Sequence, residues 1–411
     1  GKRREGQVLN ILERGNSVLV GTYTRSRNFG FVTPDNQKFT KDIYVAKAES
    51  KGAVTGHKVV VEITDFGDEQ RKPEGRVLEI LGHVNDPGVD ILSVIKAYGL
   101  PEEYPDDVMK QIENIPDEVE EKEKAGRADF RDLQTVTIDG EDAKDLDDAI
   151  TISKEGNMYH LGVHIADVSQ YVTEGSPLDK EALKRGTSIY LVDRVIPMIP
   201  HKLSNGICSL NEGEDRLAFS CLMRLDENGE IRSYKFVKSV ICSRVKGVYK
   251  EINALLEPPE SETDADLTDL KTKYEAVLDQ LPTMDELYRK RLVLRKARGA
   301  MDIESNEAKL VMDENGRCID IVKRDRGTSE CMIEEFMLLA NQCAANAGRT
   351  NKAPFVYRVH DKPNSDKLAQ LRSFVMRFGY QMKSDAVGKA LAKDINKLMT
   401  NVHGKQEENL I

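Results

Sequence analysis

Residues 139–148 of this 411-residue chain read Asp-Gly-Glu-Asp-Ala-Lys-Asp-Leu-Asp-Asp, six carboxylates in ten residues. Strand-like apolar residues bracket them, Ile138 before and Ala149 and Ile150 after. Acidic runs are mostly solvated loops. One embedded between strands is different, because it brings Asp139, Asp145, Asp147 and Asp148 to the edge of a core, where like charges repel and raise one another's pKa values. A hard cation resolves that conflict. Mg²⁺ takes carboxylate oxygens together with water and phosphate oxygens, and two such ions about 4 Å apart stabilise both the attacking water and the departing oxygen of a phosphodiester. Calcium is the rival at this level, but the segment lacks the Gly and Glu spacing of an EF-hand loop. If residues 145–148 were extended, Asp145 and Asp147 would share a face and Asp148 would point away. Convergence therefore needs a turn, or a separate role for one of them.

A second group of interest is Arg25-Ser26-Arg27-Asn28-Phe29-Gly30-Phe31-Val32. Alternation puts Phe29 and Phe31 on one face with Arg25 and Arg27 beside them. Rings next to cations form a stacking platform for unpaired bases, and the pattern alone equally allows both rings to fill a core. His164 and His360 each lie between apolar residues and read as hydrogen-bonded core histidines, not bases. Tyr190 reads by itself as a partly buried strand tyrosine, and Glu334 and Glu335 as first-turn acids favoured by a helix dipole. The six cysteines (Cys208, Cys221, Cys242, Cys318, Cys331 and Cys343) form no C-x-x-C and read as small hydrophobes in a reduced compartment. There is no Gly-rich phosphate loop, zinc spacing or G-x-S-x-G elbow.

The elements that must position these residues fall into two or three domains, since 411 residues exceed one core. Six short strand-like runs lie between residue 7 and about residue 82: 7–12, 17–23, 30–32, 42–45, 58–63 and 75–80. Their close spacing predicts a small closed barrel over 1–82. Residues 83–132 read as a connector with an acidic, partly helical run from Glu113 to Lys124. From 133 to 411 strands and helices mix. Leu217–Leu225 and Ile231–Ser243 flank one Asp-Glu-Asn-Gly turn, and Leu310–Met312 and Cys318–Val322 flank another. Helices are predicted over Met332–Ala347, stopped by Gly348, and over Asp366–Phe378, capped by Ser365. Residues 257–269 read as a mobile acidic loop.

Charge and hydropathy narrow the class. No apolar run approaches a membrane span, and no secretory signal follows the N-terminus. The net charge of −10 argues against a protein that coats nucleic acid generally. It is uneven, since residues 1–82 carry 14 Lys and Arg against 11 Asp and Glu. A basic channel inside an acidic enzyme is compatible with that.

The D-x5-D-x-D-D pattern of Asp139, Asp145, Asp147 and Asp148 resembles the signature of the ribonuclease II / ribonuclease R family. So do His164-Ile165-Ala166-Asp167-Val168-Ser169-Gln170-Tyr171-Val172, Ile196-Pro197-Met198-Ile199-Pro200, and the blocks Leu203–Asn211 and Asp215–Ser220. The Arg25–Val32 and Asp42–Val45 segments resemble a cold-shock domain, an OB-type barrel, which favours the RNA-stacking reading and the ribonuclease R branch. The resemblance covers essentially the whole chain. It implies an N-terminal OB barrel followed by a mixed α+β catalytic domain that hydrolyses single-stranded RNA from its 3′ end to nucleoside 5′-monophosphates, with Mg²⁺. Asp139 and Asp148 would be direct metal ligands, Asp147 the residue most tied to cleavage, and Asp145 a support. Tyr190 would stack on the 3′-terminal base, and Glu334 or Glu335 would contact ribose.

The resemblance also sets expectations about extent. The chain starts without Met and stops at Ile411, before the family's arginine-containing segment and C-terminal OB barrel, so a weakly active or inactive fragment is expected. A cytoplasmic protein is expected, with no membrane and unknown protein partners. The alternative is a non-catalytic RNA-binding or regulatory relative, which would be expected to lose a metal carboxylate.

Overall fold

The computed structural model describes residues 6, 7, 9–12, 15, 17–68, 70–258, 264–300, 308–314, 316–323, 326–359, 361–383, 389–408, 410 and 411. His360 lies outside them. Two compact units form, one from Gly1–Pro105, Glu181–Met198 and Ala308–Lys323, the other from Asp106–Lys180, Ile199–Glu307 and Arg324–Ile411.

The first unit holds a closed five-stranded barrel of β1 (Val18–Arg25), β2 (Phe29–Pro34), β3 (Ile43–Ala46), β4 (His57–Asp65) and β5 (Glu74–His83), in the order β1-β2-β3-β5-β4. Period-two alternation sends Tyr23, Val32, Ile43, Val45, Val59, Val61 and Val77 inward as one core. Gly30 is required beside that core, since a Cβ there would stand 2.3 Å from the Tyr23 ring. The sixth strand expected over 7–12 is absent among the described residues of that run, where Leu9, Ile11 and Leu12 are exposed. The reason is closure: β1 bonds β2 on one side and β4 on the other, leaving no edge. Helix α1 (Val89–Ala97) follows the barrel.

In the second unit come α2 (Asp106–Glu113) and α3 (Glu121–Lys124), the latter being the helical part of the acidic run expected over Glu113–Lys124. Then come β6 (Ala128–Asp129), β7 (Thr135–Asp139), β8 (Asp148–Glu155) and β9 (Met158–Ala166). After α4 (Pro177–Arg185), β10 (Ile189–Tyr190) and β11 (Val195–Ile196) form a ribbon belonging to the first unit. The expected hairpin follows as β12 (Asp215–Leu225) and β13 (Ile231–Val248). The sheet order is β12-β9-β8-β7-β13-β6, and β13 is long enough to pair with three strands, antiparallel to β12 up to Cys242, parallel to β7 from Ser243 and parallel to β6 at Ser239 and Val240.

Helices α5 (Tyr249–Leu256), α6 (Asp264–Lys273) and α7 (Leu281–Arg298) precede a second ribbon, β14 (Ala308–Met312) with β15 (Cys318–Lys323). The last helices are α8 (Thr328–Thr350), α9 (Ser365–Met376) and α10 (Lys389–Val402). One sheet face packs under α5, α7 and α8 in a core that joins Ile150, Val163, Cys221 and Met223 to Ile252, Met284, Leu287, Met332 and Phe336.

Several helix ends differ from expectation. The loop expected over 257–269 gives way to α6 from Asp264, and Asn364, not Ser365, caps α9 by accepting from the Asp366 and Lys367 amides. Helix α8 begins at Thr328 and runs through Gly348, because that glycine serves a close approach. A Cβ there would meet the Phe355 ring at 2.8 Å. Among the described residues, no helix is long and apolar enough to cross a membrane.

Candidate active site

The acidic segment is the connection between β7, which ends at Asp139, and β8, which begins at Asp148. A turn opens it, the Ala143 amide donating to the Gly140 carbonyl at 3.0 Å. Leu146 is its anchor. Only 2% exposed, it sits between two aspartates and packs with Ala149, Ala166, Leu210, Ala218 and Ile241. Both its backbone groups are satisfied, the amide donating to Ser209 Oγ at 3.0 Å and the carbonyl accepting from the Leu210 amide at 2.9 Å. Ser209 Oγ also donates to the Lys144 carbonyl at 2.9 Å, and Arg216, itself buried, donates to the Ser209 carbonyl at 2.7 Å. On the other side the Ala166 amide holds the Asp147 carbonyl at 2.9 Å, and Lys246 Nζ holds that of Ala143 at 2.7 Å. The Ser209–Leu210 block and β9 thus fix the loop by its backbone.

The carboxylates sense one another. Burial pushes Asp148 up to about 6, and the charges of Asp139 and Asp147 add to the rise. Asp147 is raised by burial first and then by Asp145 and Asp139, although one side of the residue stays open to solvent. Asp145 and Asp147 lie in irregular chain after the Gly140–Ala143 turn, and Asp148 opens β8, so the three are not presented by one extended run. The set is an all-oxygen donor group of the kind a hard divalent cation takes. It is a supply of ligands and not a finished cage, since among the described residues no three acidic, His or Cys side chains are already grouped to hold an ion.

The other singled-out residues fall as follows. His164 is fully buried, with Nδ1 2.7 Å from Ser220 Oγ and Nε2 2.9 Å from Thr151 Oγ1, and burial pulls it down to about 4. Both ring nitrogens are occupied, as the core reading expects. Tyr190, in the first unit, is 64% exposed on the short ribbon rather than partly buried.

Glu334 and Glu335 are not first-turn acids, because α8 starts earlier and Glu330 takes that place, accepting from the Gly327 amide at 3.1 Å. Glu335 is 1% exposed and paired with Arg291 at 3.3 Å, while Glu334 reaches the surface and pairs with Arg295 at 3.1 Å and with Arg326. Cys208, Cys221 and Cys343 are buried free thiols, Cys208 pushed up to about 12 chiefly by burial, whereas Cys318 is exposed.

On the barrel, Phe29 and Phe31 do not fill the core. They lie half-buried on the outer face, 5.4 Å apart, with Tyr44 at 5.5 and 6.0 Å and Lys72 Nζ 4.3 Å over the Phe31 ring. Arg25 and Arg27 are exposed beside them. Tyr44 and Lys72 are members that the Arg25–Val32 stretch does not reveal. The period-two position of Tyr44, facing Phe31 across β2 and β3, is the signal that could have found it.

Comparison with known proteins gives two family matches, the RNB domain over residues 127–411 and the cold shock domain over residues 31–105. Ribonuclease R of Thermotoga maritima is 45% identical over 383 residues, 92% of this chain and 52% of that protein. Ribonuclease R of Escherichia coli is 35% identical over 410 residues, 100% of this chain and 49% of that protein. The chain spans about half the length of the curated relatives it matches. Among solved structures it is similar to Mycoplasma genitalium RNase R in complex with double-stranded RNA, with a TM-score of 0.84 and 28% identity over 97% of this chain and 69% of that one. Yeast Ssd1, described as a pseudonuclease, has a TM-score of 0.69 at 18% identity over 98% of this chain and 49% of that one, a likeness of fold alone.

Proposed function

The chain belongs to the RNB domain family, and from that premise we propose that it is the cold-shock and catalytic portion of a 3′-to-5′ hydrolytic exoribonuclease acting on single-stranded RNA. The observation that carries this reading is the fixed β7–β8 loop, which brings Asp139, Asp145 and Asp147 close enough for their charges to bear on Asp147 and Asp148. A regulatory relative without catalysis is disfavoured because all four carboxylates are present.

The proposed cofactor is Mg²⁺, which would be held by Asp139 and Asp148. When bound, the metal neutralises charge at the scissile phosphate and lowers the pKa of a water. Asp147, open to solvent, orients the attacking water, and Asp145 supports the site from the same loop. Tyr190 stacks on the 3′-terminal base. Of the two glutamates, Glu334 takes the ribose-facing role, since Glu335 is buried against Arg291. The products are nucleoside 5′-monophosphates. A cytoplasmic setting fits an RNA-degrading enzyme.

Two expected outcomes test this reading. In a chain extended to the relatives' length, Asp147→Asn abolishes shortening of 5′-labelled RNA while RNA affinity, read by anisotropy, stays within about twofold, because the residue acts on water. Equal loss of both would make Asp147 structural. On the barrel, replacing Phe29 or Phe31 by Ala weakens single-stranded RNA binding by ~1–3 kcal/mol for each base unstacked. Unchanged affinity in the Phe29→Ala, Phe31→Ala double variant would remove the platform from the account.

A further inference from the structure

Asp148, Ile165, Phe219 and Lys238 stand directly opposite one another across β8, β9, β12 and β13. Residues so paired present their side chains on one sheet face. Phe219 is therefore in the same row as a metal-site aspartate, two strands away, or roughly 10 Å at ordinary strand spacing.

Its neighbours along β12 on that face, Cys221 and Met223, are buried in the core, but Phe219 is 44% exposed. The ring is held from behind. It stacks on Phe236 with centroids 5.6 Å apart and planes 10° from parallel, and Tyr234 packs edge-on to Phe236 at 6.0 Å. Lys238 lies beside it, more than half exposed, and its ion pair with Asp167 is long, at 3.9 Å. A single exposed phenylalanine needs no explanation. One fixed by a stacked partner, next to a cation and in register with the site, has the parts of a base platform.

We propose that Phe219, backed by Phe236, is a stacking subsite for a base near the RNA 3′ end, distinct from the base assigned to Tyr190, with Lys238 on the adjoining phosphodiester. This rests on the RNA-hydrolase reading above. Stacking on a ring tolerates every base, so the subsite is indifferent to sequence and favours unpaired strands.

The test uses an Asp147→Asn chain, so that RNA survives, with 2-aminopurine placed at the second, third or fourth nucleotide from the 3′ end and a separate 5′ fluorophore reporting binding. At one of these positions emission is quenched on binding. Phe219→Leu, which keeps apolar volume without a ring, relieves that quenching and weakens binding of a short oligoribonucleotide roughly tenfold, while Phe219→Tyr restores both. Thermal melting shows whether each variant is folded. Quenching that persists in a folded Phe219→Leu chain overturns the proposal, as does RNA that binds with no quenching at any of the three positions. No RNA binding by either reporter overturns the underlying reading together with it.

Discussion

Replacing Asp148 by Asn makes the metal-free protein more stable at neutral pH, the reverse of what loss of a structural carboxylate does. Burial, with the charges of Asp139 and Asp147, lifts Asp148 from an ordinary 3.8 to about 6 in the folded chain. A group whose folded pKa is raised contributes stability that is full below its unfolded pKa and is lost as pH climbs through the folded one. For Asp148 that window runs from about 4 to about 6, so at pH 7 its charge is a net cost. Each unit is worth about 1.4 kcal/mol, which after solvent screening leaves a gain of ~2 kcal/mol for D148N. Melting in EDTA between pH 4 and 8 reads this directly: the two proteins coincide at the acid end, diverge between about pH 4 and about pH 6, and keep a constant gap above that. Adding Mg²⁺ then raises the melting temperature of the unsubstituted chain above pH 6 and leaves D148N unmoved. A variant that melts lower at pH 7 in EDTA would mean that Asp148 holds the fold, not a cation.

Leu146→Ala is expected to cost stability and metal binding together. The side chain is almost fully buried among Ala149, Ala166, Leu210, Ala218 and Ile241, and truncating such a leucine costs about 3 kcal/mol. Its flanking residues are Asp145 and Asp147, so a loosened anchor also blurs the positions of two donors. Urea denaturation measures the first effect, and calorimetric Mg²⁺ titration well below the new melting point measures the second. If stability falls and Mg²⁺ affinity holds, the backbone bonds of Ser209 and Leu210 alone suffice to fix the loop.

These predictions use features of unequal legibility in the sequence. The acidic loop could be read because six carboxylates between strand residues are locally inconsistent unless a cation joins them. The barrel and the β12–β13 hairpin could be read because alternation and turn residues are local signals. Helix α7 escaped notice. Its buried positions Leu281, Met284, Leu287 and Arg291 include an arginine, and Val293 faces solvent, so the apolar stripe is diluted. Gly348 reads as a stop in the sequence because a helix-ending glycine and a glycine needed for close packing look alike until Phe355 is placed. The pairing of Glu335 with Arg291 joins α7 to α8 over 44 residues, and the Ser209 bonds to the loop span more than 60. Such contacts follow from topology, which no spacing reports.

The most direct test of the central claim is a time course of 5′-labelled single-stranded RNA with a matched DNA control, in Mg²⁺ and in EDTA, on this chain and on one extended to the relatives' length. The expected result is stepwise shortening from the 3′ end of RNA only, abolished by EDTA, and strong in the longer chain. RNA bound by both proteins but shortened by neither would mean that the β7–β8 carboxylates are not a working nuclease site.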